Sequence, residues 1–575
     1  MRQILFLIFF FIVFALLPDF PSFQHYMPHT SSIYYNGSII TMSGPKPVYA
    51  EAIVIKDNKI IFVGLKDSAI AKAGGNPKMI DLKGRALLPG FIDAHSHLMK
   101  YADALYQADL NPPPIGKVNR IADILTALQD LKKKHKLSDS SWIIGNGYDQ
   151  DLLEEKRHPQ AADLDSAFPN NPVLLLHTSG HMLVANSKAF ELAAINEKTP
   201  DPKGGTILRI KRSKKPEGLV QEMAMYAFSP FLYQEGPEEF ELNKLYRAQE
   251  YYAAFGITTA AEHLLPGEKL SLLEKAIKNK TFFIDLTVLP SFTLAKEVVG
   301  TGKITFGNYR NHVKYAGLKM AIDGSPQGKT AFLTQPYLTP VPGCEKDCRG
   351  FPNLTQDQVN ELVLLCYSNK VQLFSDCNGD SAIDMMIKGH QYADSSLNHS
   401  TSDRRTVIIH SQIMRPDQLS TYLKYGLLPS FFTNHTYYWG DVHFQNLGKQ
   451  RAFFLSPLRS ALKMGIKATN HTDCNVTPAD QMFLLWTAVN RITRSGFLLG
   501  KEERVSAYDA LRAITSNAAY QYHEENIKGS LEPGKLADLV ILSKNPLTEN
   551  EYAIKNIEVL ETIKEGKIIY RKKKN

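Results

Sequence analysis

For several hundred residues this chain alternates apolar β-like runs with helical stretches, and that alternation leaves few folds open to it. The β-like runs include residues 172–178 (PVLLLHT), 282–290 (FFIDLTVLP), 318–323 (LKMAID), 371–376 (VQLFSD), 406–410 (TVIIH) and 466–470 (IKATN). Helical stretches include 122–134, 238–255 and 355–368. Helices interleaved with strands cover the faces of a sheet, so alternation of this length predicts a parallel sheet or an α/β barrel. The two ends differ in texture. Residues 32–42, 52–64 and 78–90, and again 537–546 and 557–572, read as short strands between turns, with Asn36-Gly37 and Asp57-Asn58 as hairpin signals. The expected architecture is α/β: a barrel over residues 89–518, with a long insertion at about 145–250, beside one small β-sandwich assembled from residues 30–88 and 519–575.

Composition narrows the function classes. Hydrophobic residues make up 44% of the 575 and charged residues 22%, which excludes a disordered chain, a collagen-like chain and a polytopic membrane protein. The net charge of +8 is weak for this length, and Arg571 to Lys574 supply half of it, so a solvated tail explains it better than nucleic-acid binding. One segment stands apart. Ile4 to Leu17 is unbroken apolar sequence between Arg2 and Pro18. As a helix its fourteen residues reach roughly 21 Å, short of a hydrocarbon core of about 30 Å. Residues 1–25 therefore read as a signal peptide or an uncleaved signal-anchor, which places the remainder in the periplasm or tethered at the envelope membrane. In such a compartment Cys344 and Cys348 are expected to form a small-loop disulfide, leaving Cys366, Cys377 and Cys474 as thiols.

The chemistry concentrates at strand ends. Residues 87–98 read LLPGFIDAHSHL, and residues two apart on a strand face the same side, so His95 and His97 project together. Two neutral imidazoles on one face suit zinc or a similar divalent metal. Further ligands should come from other strand ends. His410 closes one β-like run, His471 and Asp473 follow another, and Lys319 shares a face with Asp323 inside a third. A lysine within a barrel is costly unless functional or paired.

These motifs resemble the amidohydrolase superfamily, in the amidohydrolase 3 branch that includes N-substituted formamide deformylases. The resemblance covers nearly everything after the leader. It rests on residues 87–98, SGHMLVANSKAF (179–190), DPKGGTI (201–207), EGLVQE (217–222), GITTAAE (256–262) and KMAIDGSPQGKTAFLTQPY (319–337), followed by DCNGDSAID (376–384), RTVIIHSQIMRPDQL (405–419), NHTDCNVTP (470–478) and GSLEPGKLADLVIL (529–542). It implies a metal-dependent hydrolase on a distorted (β/α)8 TIM barrel. His95, His97, His410 and Asp473 would be metal ligands, and Lys319 would sit where a carbamylated lysine bridges two ions. One departure matters: relatives usually carry His where this chain has Asp376. A carboxylate still ligates zinc, so Asp376 is expected as a ligand to one or two ions.

The resemblance implies hydrolysis of an amide or formamide-like C–N bond in a small molecule by metal-activated water. Asp473 would shuttle the proton, and His471 would orient substrate or Asp473. His181 and Asn186, within the insertion, and His435 and Trp439, in the aromatic stretch 431–441, are candidate substrate contacts. Two other readings stay open: a binding protein whose site is degraded at Asp376, and a lyase or isomerase on the same scaffold. Homo-oligomerisation is also open.

Overall fold

The computed structural model describes residues 31–232, 236–398 and 403–573, so the leader at 1–25 and Lys574 lie outside it. Both chain ends contribute to one eight-stranded sheet. Its hydrogen-bonded path runs from Lys567–Arg571 through Val559–Lys564, Leu539–Leu542, Ala86–Pro89 and Ser32–Ile40 to Tyr49–Lys56 and Lys59–Gly64, with Lys78–Asp81 beside Ser32–Ile40. Ile39, Ile53, Leu87, Leu539 and Ile563 fill its interior. A bridge between Lys59 and Leu536 brings the first strands back against the C-terminal part.

The two turn signals part company here. Asp57, with φ of 56°, joins the antiparallel strands Tyr49–Lys56 and Lys59–Gly64. Asn36-Gly37 lies instead inside the single strand Ser32–Ile40, where the register against Tyr49–Lys56 shifts. Asn36 takes φ of 58° there, and a Cβ on residue 37 would meet the Arg85 carbonyl oxygen at 2.4 Å. The dipeptide is a bulge against a neighbouring strand, not a hairpin.

The middle of the chain supplies parallel strands. Phe91–Ile92, Ile257–Leu265, Asp285–Pro290 and Val313–Tyr315 pair in that order, and so do Leu318–Ala321, Leu373–Gly379, Val407–Ile413, Leu428–Phe431 and Thr469–Asn470. The two groups touch at both edges. A bridge links Ser291 to Lys319, and Asp473 N donates to the His95 carbonyl at 3.1 Å. Leu373–Gly379 and Val407–Ile413 are buried at every position, as parallel strands covered on both faces must be. Covering helices begin where the sequence caps them: Thr355 and Gln358 form a capping box ahead of Gln356–Ser368.

A third sheet of six strands is inserted between Phe91–Ile92 and Ile257–Leu265, running from Ala108–Asp109 to Pro216–Glu222. Its first strand lies well upstream of residue 145, because a two-residue strand leaves no period in the sequence. The helix Ile121–Lys134 packs on this sheet through Ile121, Ile124 and Leu128. Cys344 and Cys348 form a disulfide, and Cys366, Cys377 and Cys474 are buried thiols. Among the described residues no helix is long and apolar enough to cross a membrane.

Candidate metal centre

The C-terminal ends of the parallel strands converge on one buried cluster. His95 and His97 follow Phe91–Ile92 and both reach Asp473, with Nε2 to Oδ1 distances of 3.0 and 3.4 Å. His410 lies within Val407–Ile413, its Nε2 3.1 Å from Asp376 Oδ1 and 3.9 Å from Asp473 Oδ2. His471 follows Thr469–Asn470, and its Nδ1 contacts Ser430 Oγ at 3.0 Å. His410 and Asp473 adopt φ of 67° and 52°, a region that non-glycine residues hold mainly where the surroundings force it, as at functional sites. Asp93 braces the last strand end: its carboxylate accepts from the backbone N–H and hydroxyl of Thr472.

The cluster fits a divalent metal. One ligand atom each from His95, His410, His471 and Asp473 falls within 4.8 Å of all the others. His471 Nε2 and His410 Nδ1 are buried without a hydrogen-bond partner. Burial pushes His95 down to about 3 and holds His471 well below its ordinary value, so these imidazoles are neutral, the ligating form. Burial alone would raise Asp473, but His95, His97 and His410 hold it well below the carboxylate range, so it is ionised. Neutral histidines around one carboxylate form a donor set for zinc-like cations.

Lys319 and Asp376 form a second part. Lys319 is fully buried, and its Nζ lies 3.0 Å from Asp376 Oδ1. Burial would raise Asp376, yet Lys319 and His410 beside it hold it well below the usual range. Asp376 thus answers the charge of Lys319. His97 stands beside Asp473 at the mouth of the cluster.

A cavity of about 300 Å³ opens onto the centre, with His95, His97, His181, Glu222, Lys100 and Tyr226 in its wall. His181 donates to Glu222 or pairs with it at 2.9 Å; burial would lower its pKa, but Glu222 lifts it to about 9. Lys100 reaches the same wall, and a Cβ on Gly180 would lie 2.7 Å from its Nζ. The other three expected substrate contacts are elsewhere. Asn186 is fully buried, accepts from the Val173 and Ala189 backbone N–H groups and donates to Phe168 and Asn171 carbonyls, so its amide is used up as the cap of Ser187–Leu192. His435 contacts His443 Nε2 at 2.9 Å, and Trp439 Nε1 donates to Asp149 Oδ2 at 2.7 Å. Both are buried, and neither is in the wall of that cavity. His263 was not expected: it ends the approach of Ile257–Leu265 to the centre, one residue beyond the stretch 256–262, and its Nδ1 touches His95.

The profile of the Amidohydrolase family matches residues 78–570. The chain belongs to the amidohydrolase family. It is 25% identical over 544 residues to an N-substituted formamide deformylase of Arthrobacter pascens, covering 91% of this chain and 95% of that one. It is 28% identical over 549 residues to the protein LONG AFTER FAR-RED 3 of Arabidopsis thaliana, covering 93% and 91%. An uncharacterized metal-dependent hydrolase from Pyrococcus horikoshii OT3 shares the fold at a TM-score of 0.71 and 23% identity, over 91% of this chain and 99% of that one. The histidines and aspartate of the centre come from different strand ends around one opening.

Proposed function

We propose that this amidohydrolase hydrolyses a non-peptide C–N bond, of the amide or formamide class, in a small molecule. The observation that carries the reading is the group of His95, His410, His471 and Asp473, whose ligand atoms all lie within 4.8 Å of one another where a cavity opens. We read the nine parallel strands, with Val313–Tyr315 and Leu318–Ala321 taken as one position, as a distorted (β/α)8 barrel and the sheet of both chain ends as the small β-sandwich. Zinc suits the donor set best, and with Asp376 paired to Lys319 the geometry favours one ion over two. A divalent cation held there supplies Lewis acidity and water of lowered pKa.

The chain's own groups do the rest. Asp473, at the cavity edge, accepts a proton on its carboxylate and returns it to the leaving amine. His181 and Lys100 in the cavity wall orient the polar end of the substrate, while Met99, Met225 and Phe292 take its apolar part. Export to the envelope is supported by the apolar segment Ile4 to Leu17 and by the Cys344–Cys348 disulfide, which belongs to an oxidising compartment. Elemental analysis of the purified chain combined with a panel of N-acyl, formamide and cyclic amides tests the proposal. Stoichiometric metal and turnover of at least one class are expected; protein free of metal and inert on the whole panel would overturn it.

A further inference from the structure

Three buried contacts in a row decide where one proton sits on His95. The phenol oxygen of Tyr522 lies 2.8 Å from the Ala94 carbonyl oxygen. A carbonyl only accepts, so the single phenol proton occupies that contact. Tyr522 therefore meets His263 Nε2, 2.9 Å away, as an acceptor, and His263 carries its proton on Nε2. His263 Nδ1 then holds a lone pair, and it lies 2.5 Å from His95 Nδ1. Two bare nitrogens at that distance would repel, so His95 supplies an Nδ1–H. A second proton on His263 would also satisfy the contact. It would place an imidazolium 3.5 Å from the Lys319 ammonium, with only His95 and Tyr522 as partners, which a buried site disfavours. His95 Nε2, 3.0 Å from Asp473 Oδ1, is then the ring nitrogen left to face a cation; with no cation there, a proton on it is shared with Asp473.

We infer that Tyr522 and His263 are positioning residues that lock His95 in its Nδ1–H tautomer and so aim its Nε2 lone pair, beside Asp473, at a divalent cation. A divalent cation that displaces the shared proton meets the Nε2 lone pair and the Asp473 carboxylate together. The lock is rigid because each part is held separately. His263 lies within the long strand Ile257–Leu265, Tyr522 stacks on Phe374 with ring centroids 5.5 Å apart, and Gln521 Nε2 donates to the same Ala94 carbonyl at 2.9 Å. Partners of ligating histidines that fix the tautomer typically change metal affinity by about 10- to 100-fold when removed.

The consequence for the cation rests on the proposed metal site, whereas the tautomer does not, and the test separates them. In metal-free full-length protein labelled with ¹⁵N-histidine, long-range ¹H–¹⁵N spectra should show His95 protonated at Nδ1 and His263 at Nε2, assigned through His95→Gln and His263→Asn. A His95 Nδ1 without a proton would overturn the inference. Zinc titration against a chromophoric chelator should then show Tyr522→Phe, which keeps the ring stacked on Phe374, binding about 10-fold or more weakly than the parent chain. A His95 signal unchanged by Tyr522→Phe, or a zinc affinity within twofold of the parent, would also overturn it. A parent chain that binds no zinc while showing the predicted tautomers would sink the metal site and leave the lock standing.

Discussion

Two buried ionic clusters sit at opposite ends of the parallel strands, built from the same residue types, and they behave differently. The upper one gathers His95, His410, His471 and Asp473 at the C-terminal strand ends. The lower one gathers around Asp285, the first residue of Asp285–Pro290, and there too Asp285, His312 and Glu565 bring ligand atoms within 4.8 Å of one another. Below, lysines supply the cations. Lys564 reaches Asp285 at 2.9 Å and Asp538 at 3.0 Å, Lys528 contacts Asp285 and lies 3.2 Å from Glu524, and Lys314 contacts Glu524. Above, Lys319 is taken by Asp376, Lys100 stands off in the cavity wall, and His410 Nδ1 and His471 Nε2 remain without partners. The lower cluster is an internal salt that ties the parallel strands to the two-ended sheet, because Asp538 and Lys564 belong to that sheet. The upper one has its anion and lone pairs arranged for a cation from outside. The proximity of acids and histidines alone therefore does not mark a metal centre; the count of nearby ammonium groups does.

Matched substitutions sharpen the contrast. Asp473→Asn should lower turnover by roughly 10²–10⁴-fold, the range for loss of a general acid–base group. The unfolding midpoint of the metal-free protein should fall only modestly, since the carboxamide keeps the shape and its oxygen still faces His95 and His97. Steady-state kinetics and denaturant melts of one preparation check both. Asp285→Ala is the opposite case. Removing one partner of a buried ion pair costs about 3–5 kcal/mol, here by stranding Lys528 and Lys564. Metal content per folded chain should not change. If Asp285→Ala lost metal, or Asp473→Asn lost several kcal/mol of stability, the division between the clusters would fail.

The upper cluster was largely legible in the sequence because each of its parts ends a β-like run: H-x-H after residues 87–94, His410 after TVII, and the His-Thr-Asp group after IKATN. Strand ends in a parallel fold share one rim, so order along the chain sufficed to bring them together. His263 escaped because it looks like a spare residue after Glu262; only its contact with His95 reveals it. Asn186 was misread for the opposite reason. An asparagine directly before a helix is a common N-cap, and its four hydrogen bonds confirm that role here. The lower cluster had no signature at all. Asp285, His312, Lys528, Asp538 and Lys564 are scattered over the chain, and no period or spacing relates them.

The lower cluster should also govern the pH range of stability. Burial would raise Asp285, but Lys528 and Lys564 hold it well below the carboxylate range. A lowered acid contributes stability that is complete above its unfolded value near 3.9 and is lost as pH falls below that toward its folded value. Burial would lower Lys528 and Lys564, yet Asp285 and Asp538 keep both above the ordinary lysine value. Their contribution is complete below about pH 10.4 and is lost as pH rises further. Asp538, pushed up by burial, opposes the acid-side loss and blunts it. Urea melts between about pH 3 and 11 should show decline on both flanks in the parent chain and weaker decline in Asp285→Ala; parallel curves would assign the pH dependence to other groups.

The mildest test is His312→Ala. His312 Nδ1 lies 2.8 Å from Asp285 Oδ1, but its side chain is 30% exposed, and Asp285 keeps Lys528 and Lys564 on its other oxygen. Partly exposed pairs contribute about 0–1 kcal/mol, so the unfolding free energy should fall by no more than about 1 kcal/mol. Zinc added to the metal-free protein should raise the melting temperature of His312→Ala as much as that of the parent, because the ion binds at the other end of the strands. A zinc response lost with His312 would move the metal to the lower cluster and invert the assignment.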